Sequence, residues 1–352
     1  MGRDPAAPAE RGAAAAELAE VGLAKLLLFP AKLAALQAPG PDPGFPVSVE
    51  LSLTSQCRQN CLWCSDRNLR SRSPDRLDMA LLERLFEDLA RGGTQGVTIE
   101  GGGEPTLSPL FPAAARAARA QGLAVGLITN GLDLFRPGLD EADYRDFEWV
   151  RVSLDAAGPE TYRVLKGTDG FGEVLANLAR LAALKPALTL GAGYVLTNQN
   201  DEPGDLARLA ETLKNLGLDY LHIRPVVDHP NLTSRRDLSF LQDSFVNLAA
   251  LSDNAATGND SLPCLAHSLS SVVGSDGLVW LCGRLNAAPR VGPLGDLTKA
   301  GFAEIWAGEE RRRQAGLTAS ADFCQANCPP CRLTKYNRLL HRLARLKTRH
   351  FI

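Results

Sequence analysis

Between residues 47 and 225, six short apolar runs alternate with longer amphipathic ones, and this rhythm restricts the fold more than any other feature of the chain. The strand candidates are 47–54, 96–100, 124–129, 149–154, 188–196 and 220–225. The helical patterns between them cover 77–91, 110–121, 171–184 and 201–216. Repeated strand–helix units call for a parallel sheet with right-handed crossovers. Six of them predict an α/β architecture, an open and partial (β/α)6 TIM-like barrel.

A further helix is expected near 238–251, after which the rhythm breaks. Residues 252–263 form a polar linker, and a hairpin follows at 270–273 and 277–281, turning at Gly274-Ser275-Asp276-Gly277. A short helix near 299–307 and a basic C-terminal helix complete a small α+β domain and tail. Residues 1–45 are rich in Ala and Pro, with a helical patch at 18–36 that stops at Pro-Gly-Pro-Asp-Pro-Gly. The expected units are an N-terminal helical extension (1–45), the barrel (46–255), the small domain (256–335) and the basic helix (336–352).

Bulk composition narrows the classes. Hydrophobic residues make up 45% and charged residues 22%, enough apolar material for a sizeable core. Thirty-eight basic against forty acidic residues leave a net charge of -2, which gives no reason to expect a nucleic-acid partner. The longest apolar stretch, 21–36, is interrupted by Lys25, Pro30 and Lys32, so no spanning helix is expected. The first residues lack the basic-then-apolar order of a secretion signal. A cytoplasmic protein is the expectation.

In a reducing compartment, clustered thiols point to metal ligation rather than disulfides. The eight cysteines stand at 57, 61, 64, 264, 282, 324, 328 and 331. Cys57, Cys61 and Cys64 are spaced C-x3-C-x2-C directly after the first strand. Three thiolates on a tight loop can hold three irons of a 4Fe–4S cluster and leave the fourth open. Open positions are what catalytic metal sites keep for substrate, and barrel enzymes place their chemistry on this face. A zinc site or unrelated thiols are the alternatives, although no fourth Cys or His lies close by. In the second group, Cys264 and Cys282 bracket the hairpin, and Cys324-Gln-Ala-Asn-Cys328-Pro-Pro-Cys331 follows. A zinc ribbon competes with a cluster there.

The first cysteine loop, with Trp63 just before its third cysteine, resembles the radical S-adenosylmethionine (radical SAM) superfamily, and the resemblance runs from residue 47 to about 230. It is carried further by Gly101-Gly102-Gly103-Glu104-Pro105-Thr106 after the second strand. In that family a Gly-Gly-Glu stretch binds the amino group of the cofactor's methionine. Glycines let a backbone approach closely, and a carboxylate accepts from an ammonium. Thr129-Asn130-Gly131 closes the third strand and Ser153-Leu154-Asp155 the fourth, where family members contact ribose and carboxylate. Capping or turn formation is the competing role for these polar residues. Asn198 and Arg224 end the fifth and sixth strands. Arg224 is a candidate for the cofactor carboxylate, an anionic substrate group or a structural Asp. The cofactor-binding candidates are therefore Trp63, Gly102, Gly103, Glu104, Thr129, Asn130, Ser153, Asp155, Asn198 and Arg224.

The second cysteine group, with Gly295-Asp296-Leu297 and Ile305-Trp306 behind it, looks like the twitch domain, the shorter relative of the SPASM domain. This resemblance implies one auxiliary 4Fe–4S cluster, with Cys264, Cys282, Cys328 and Cys331 as ligands. Cys324 is left as an alternative ligand, an inert thiol or a catalytic hydrogen-atom donor.

What the resemblance implies is reductive cleavage of S-adenosylmethionine to a 5′-deoxyadenosyl radical, followed by hydrogen abstraction. An auxiliary cluster able to take an electron points to an oxidoreductase that dehydrogenates or epimerises a small polar substrate, a sugar or cyclitol. The short N-terminal segment, expected to leave no room for a peptide-binding domain, leans the same way. Radical modification of a peptide or protein side chain, as in RiPP or sulfatase-type maturases, is the alternative. A reductase or a flavodoxin- or ferredoxin-type electron donor is the expected partner. Residues 332–352 hold seven Lys or Arg and no acid, and Tyr336, Leu339, Leu340, Leu343 and Leu346 make a helical apolar stripe. That stripe is expected on the protein's own surface, with a membrane surface as the alternative.

Overall fold

The computed structural model describes residues 25–37, 44–67, 74–184, 188–227, 229–248, 262–283, 285–287, 291–328 and 333–345. Helix α1 (Pro30–Gln37) precedes six strands: β1 (Ser48–Leu51), β2 (Gly96–Ile99), β3 (Ala124–Thr129), β4 (Trp149–Ser153), β5 (Thr189–Leu196) and β6 (Tyr220–Pro225). Between them run α2 (Met79–Arg91), α3 (Phe111–Ala120), α4 (Pro159–Lys166), α5 (Phe171–Ala182) and α6 (Pro203–Asn215). All six strands pair in parallel with their sequence neighbours. The partial-barrel expectation therefore holds.

Each strand has two unlike faces. Val49 and Leu51, Val97 and Ile99, Val150 and Val152, and Leu221 and Ile223 are buried under the helices. The alternate positions, including Glu50, Thr98, Arg151 and His222, are half-buried and face the barrel interior. The helices answer with apolar stripes. Leu81, Leu82, Leu85, Phe86 and Leu89 of α2 enter the core, and the Asp78 carboxylate caps that helix by accepting from Leu81 N at 2.8 Å. Inside the barrel, glycine on one strand makes room for a ring on the next. A side chain at Gly126 would meet the Trp149 ring, and one at Gly191 the Tyr220 ring.

The helix expected at 238–251 does not form. A 3-10 turn (Ser239–Leu241) and strand β7 (Val246–Leu248) occupy its described part, and β7 adds a seventh parallel strand beside β6. The cause is local: Oδ1 of Asp243 accepts from Phe245 N at 2.8 Å and Val246 N at 2.6 Å, and Gln242 Oε1 accepts from Leu248 N at 2.7 Å. These side chains take the N–H groups that a helix would use.

The C-terminal segment continues the same sheet. Strands β8 (Ser270–Val273), β9 (Leu278–Trp280) and β10 (Gly295–Asp296) extend it, and β8 lies parallel to β1 with Ser48 opposite Ser270 and Leu51 opposite Val273. Among the described residues the sheet has ten strands in the order β10-β9-β8-β1-β2-β3-β4-β5-β6-β7. Helices α7 (Phe302–Ala307), α8 (Glu309–Thr318), α9 (Ala321–Asn327) and α10 (Thr334–Ala344) follow.

Helix α10 carries the basic tail's stripe. Leu340 packs with Leu26, Ala266 and Leu269, while Leu33, Leu36, Leu333, Tyr336 and Leu339 surround them. The stripe thus lies on the chain's own N-terminal helix and on the residues leading into β8, as expected. Leu346, residues 249–261, which include most of the linker expected at 252–263, and residues 1–24 fall outside the described residues. Among those described, no helix is long and apolar enough to cross a membrane. Leu340 is 2% exposed. Leu340→Ala should cost about 2–5 kcal/mol, read as a lower thermal midpoint. An unchanged midpoint would mean that the terminal helices are not held by this contact.

Candidate cluster and cofactor site

Parallel pairing fixes which edge of the sheet carries each cysteine group. The loop holding Cys57, Cys61 and Cys64 leaves the C-terminal end of β1. Cys264 precedes β8 and Cys282 follows the antiparallel β9, so this pair falls at the opposite edge. The barrel interior lies between the two groups.

The first loop is pinned from three directions. Its entry is held by Asp75, whose carboxylate accepts from Thr54 Oγ1 at 2.6 Å and Ser55 N at 2.8 Å. Its middle lies on the end of α4: Asn60 N donates to Lys166 O at 2.9 Å and Leu62 N to Leu165 O at 3.1 Å. Buried Gln59 donates to the Tyr162 hydroxyl at 2.7 Å. The third contact is the glycine stretch. Gly103 N donates to Thr54 O at 2.8 Å and Glu104 N to Gln56 O at 2.7 Å. A Cβ at Gly103 would sit 2.0 Å from Gln56 O, so only glycine permits this approach.

Glu104 is buried and bridges two strand ends. Its carboxylate accepts from Thr106 N (3.1 Å), Thr106 Oγ1 (2.8 Å), Thr129 Oγ1 (2.7 Å) and Asn130 N (2.7 Å). Burial lifts its carboxyl above the ordinary range, with those four donors opposing. Asn130 Nδ2 reaches Cys57 Sγ at 3.9 Å. The structure thus brings Gly102, Gly103, Glu104, Thr129 and Asn130 to the cysteine loop.

Asp155 does different work. It has φ of 59°, ion-pairs with Lys166 and accepts from Val195 N at 2.6 Å; both charged side chains are 2% exposed. Asn200 Nδ2 donates to Asp155 O at 2.8 Å. Its carboxylate is engaged within the chain, joining β4, β5 and α4. Trp63 is half-buried between its cysteines, and Ser153 is half-buried at the end of β4. Asn198 is exposed and donates to Asn231 O at 3.0 Å. Arg224 is exposed at the end of β6.

The donor set fits an iron–sulfur cluster. Cys57, Cys61 and Cys64 are half-buried and form no disulfide. Burial pushes the Cys61 thiol up to about 11, while Lys166 opposes the shift. A metal replaces the proton that such a thiol keeps. A cavity of about 350 Å³ opens beside Cys57, lined by Gln56, Arg58, Leu107 and Arg136.

The second group also converges. Cys264 N donates to Thr318 O at 2.8 Å, and buried Cys324 Sγ lies 3.4 Å from the same carbonyl. Cys328 N donates to Cys324 O at 2.9 Å. A hydrogen bond from Cys324, then burial, then the charges of Cys324, Cys282 and Cys264 raise the Cys328 thiol. Cys331 falls outside the described residues. No three Cys, His, Asp or Glu among those described could together hold a single metal ion.

The radical SAM superfamily model matches residues 51–210, and the model of an iron–sulfur cluster-binding domain, SPASM, matches 264–332. The chain carries a radical SAM domain followed by a SPASM domain. It is a radical SAM enzyme, and its cofactors are a 4Fe–4S cluster, S-adenosylmethionine and an auxiliary iron–sulfur cluster. Mycofactocin maturase MftC of Mycobacterium tuberculosis is 26% identical over 298 residues, which cover 79% of this chain and 75% of that one. The PqqA peptide cyclase of Ruegeria pomeroyi is 29% identical over 201 residues, 57% of this chain; the chain spans about half, 52%, of that relative. Streptococcus suis SuiB bound to precursor peptide SuiA shares the fold, with TM-score 0.61 and 13% identity over 83% of this chain and 73% of that one.

Several site residues escape motif reading. Helix α4, which supports the loop through Tyr162 and Lys166, is bounded by Pro159 at its start and by Gly167 with φ of 69° at its end. Pro inside the start and Gly past the end are the available signal. Glu100, Arg151 and His222 of the interior carry no motif. Burial lifts the Glu100 carboxyl to about 7, with Arg151 and Arg224 opposing, and burial lowers His222 to about 3. Because the folded Glu100 titrates above its ordinary 4.5, it favours the fold fully below that pH and loses this contribution as pH rises through 7. The thermal midpoint of the cluster-free protein should therefore fall from pH 5 to pH 8, and less steeply in Glu100→Gln. Parallel profiles would show that Glu100 is charged and paired throughout.

Proposed function

We propose that this radical SAM enzyme modifies a peptide, and that the auxiliary cluster is held by Cys264, Cys282, Cys324 and Cys328. The observation that carries the first part is a match to a maturase over 298 residues, 79% of this chain. The likeness to the PqqA peptide cyclase supports the same substrate class, and SuiB, solved with its precursor peptide, shares the fold. This weighs against the sugar or cyclitol expected from the auxiliary cluster alone. The expected dehydrogenation carries over to a peptide: loss of two hydrogens gives a cross-link or a double bond. The ligand set rests on the shared contact of Cys264 and Cys324 with Thr318 O and on the pairing of Cys324 with Cys328. It makes Cys324 a ligand rather than a hydrogen donor.

When bound, the cluster and S-adenosylmethionine supply a carbon radical able to remove a hydrogen atom. The chain's own residues do the positioning. Cys57, Cys61 and Cys64 would hold three irons. The Gly101–Gly103 backbone, brought against the loop by the bond from Gly103 N to Thr54 O and the adjoining one from Glu104 N to Gln56 O, would let the cofactor's amino group approach beside Glu104. Asn130 stands between that carboxylate and Cys57. The half-buried polar face of β1–β6 forms the wall along which a substrate side chain would lie, partly shielded from water.

Two measurements test these readings. Anaerobically reconstituted enzyme should convert a member of a synthetic peptide library to a product about two mass units lighter. The same change in a polyol library, with none in the peptides, would restore the small-molecule reading. Iron content should be about eight per chain, falling to about four in Cys324→Ala. Full loading of that variant would return Cys324 to a spare thiol.

A further inference from the structure

We propose that Arg151 and Arg224 form a carboxylate-binding subsite in the barrel interior, selecting a peptide that presents a carboxylate from an acidic side chain or from its C-terminus. The inference rests on the peptide reading above and deepens it.

The parallel register sets the geometry. Gly191 of β5 lies opposite Arg151 of β4, Gly193 opposite His222 of β6, and Val195 opposite Arg224. These positions alternate along their strands, so they share the inward face. Arg151 leans along the sheet towards the rim that carries the cysteine loop. A Cβ on Gly193, two residues beyond its own partner, would lie 3.5 Å from Arg151 Cδ and 3.8 Å from its Nε. The guanidinium group therefore reaches across β5 where glycine leaves the strand bare. Arg224 enters from the other side, exposed at the end of β6. Strands β4 and β6 are two spacings apart, about 10 Å, a gap that two arginine side chains span from opposite walls.

Charge tells which ligand group suits this place. The interior is polarised across its width: Glu50 stands on β1 and Glu100 directly after β2, whereas Arg151, His222 and Arg224 stand on β4 and β6. Both arginines act on Glu100, whose carboxyl burial holds up at about 7, and Asp66 adds to that effect. Asp66 is itself tied to Gly102 N at 3.1 Å. On the basic side, burial and then Arg151, Arg224 and Lys335 of α10 lower His222, which adds ring nitrogens but no charge. Positive charge thus gathers on the β4–β6 wall. The anionic groups of a peptide are carboxylates, and a guanidinium takes a carboxylate through two parallel N–H bonds. A substrate carboxylate would share the two arginines with Glu100, whose own ionisation is already disfavoured.

The test measures binding to reconstituted enzyme in the presence of S-adenosylmethionine, by anisotropy of short peptide pools that carry a neutral fluorophore. The pools hold Glu or Gln at a fixed position, each with a free or an amidated C-terminus, so the two carboxylate sources are read apart. A carboxylate pool should bind about tenfold or more tightly than its amide counterpart. Arg151→Gln and Arg224→Gln should each bring that ratio close to one with iron content retained. Arg224→Lys should keep most of the preference, and Arg224→Glu should turn it towards a Lys pool. Equal binding of carboxylate and amide pools by the wild type would overturn the proposal. So would a preference that survives both Gln variants, or a loss confined to affinity for S-adenosylmethionine, which would assign Arg224 to the cofactor. Turnover separates this inference from the reading beneath it. Conversion of polyols alone removes the peptide substrate, whereas equal conversion of carboxylate and amide peptides removes only the subsite.

Discussion

The buried pair of Asp155 and Lys166 is the constraint on which the site's architecture depends. Two opposite charges, each 2% exposed, are held where neither is tolerated alone. The pair does more than neutralise itself. Asp155 adopts a left-handed backbone, receives Val195 N on its other oxygen, and has its own carbonyl tied to Asn200. Lys166 ends α4 with its carbonyl on Asn60 of the cysteine loop. The ends of β4 and β5, the end of α4 and the ligand loop thus meet at one ion pair. Removing either partner would leave an isolated charge in the interior, and the loop would lose its floor.

A second organising feature is the contrast between the two faces of each strand. The outward face is aliphatic and packs under α2, α3, α5 and α6, which supplies the stability. The inward face has been left to polar residues. It carries Glu100, Arg151 and His222, and it places glycine where a neighbouring ring needs room, as at Gly191, where a Cβ would come 2.1 Å from the Tyr220 ring. Such an interior lowers the packing return per strand and makes the barrel dependent on its outer layer. In exchange it keeps a polar space between the two cysteine groups.

How much of this is legible in the sequence follows from where the information is stored. The strands are legible because alternating or continuous apolar runs such as Val97–Ile99 and Val150–Val152 express their own burial. The Gly103 approach is legible through its place: a glycine run alone could be only a turn, but this one follows a strand directly and comes after the cysteine loop. The seventh strand is hidden, because Asp243 and Gln242 redirect an apolar stretch by taking its N–H groups, and the helical spacing around them reads differently. Helix α4 is hidden by its shortness: eight residues give little periodicity, and its role depends on contacts with a loop a hundred positions earlier. The convergence of Cys324 with Cys264 is tertiary information, carried by the Thr318 carbonyl that both residues approach.

The continuity of the sheet ties the two halves of the molecule together. Strand β8 is hydrogen-bonded to β1 along its whole length, and Ser52 N, on the way to the first cysteine loop, donates to Val273 O at 2.9 Å. The hairpin turn is clasped from above, with Arg76 N donating to Ser275 O at 2.7 Å next to the Asp75 that anchors the loop. At the lower edge, a Cβ on Gly283 would lie 3.1 Å from Glu50 on the inward face of β1. Cys282, the residue before it, therefore sits beside the floor of the interior whose upper rim carries Cys57. Neighbouring strands of one sheet cannot slide without breaking the ladder, so the separation between the cysteine groups is set by β1 and β8 rather than by a flexible linker. A substrate bound in the interior would have one cysteine group at each end, at a separation fixed by the sheet. That would suit the proposed oxidation of a peptide, with the radical formed at one end and an electron taken up at the other.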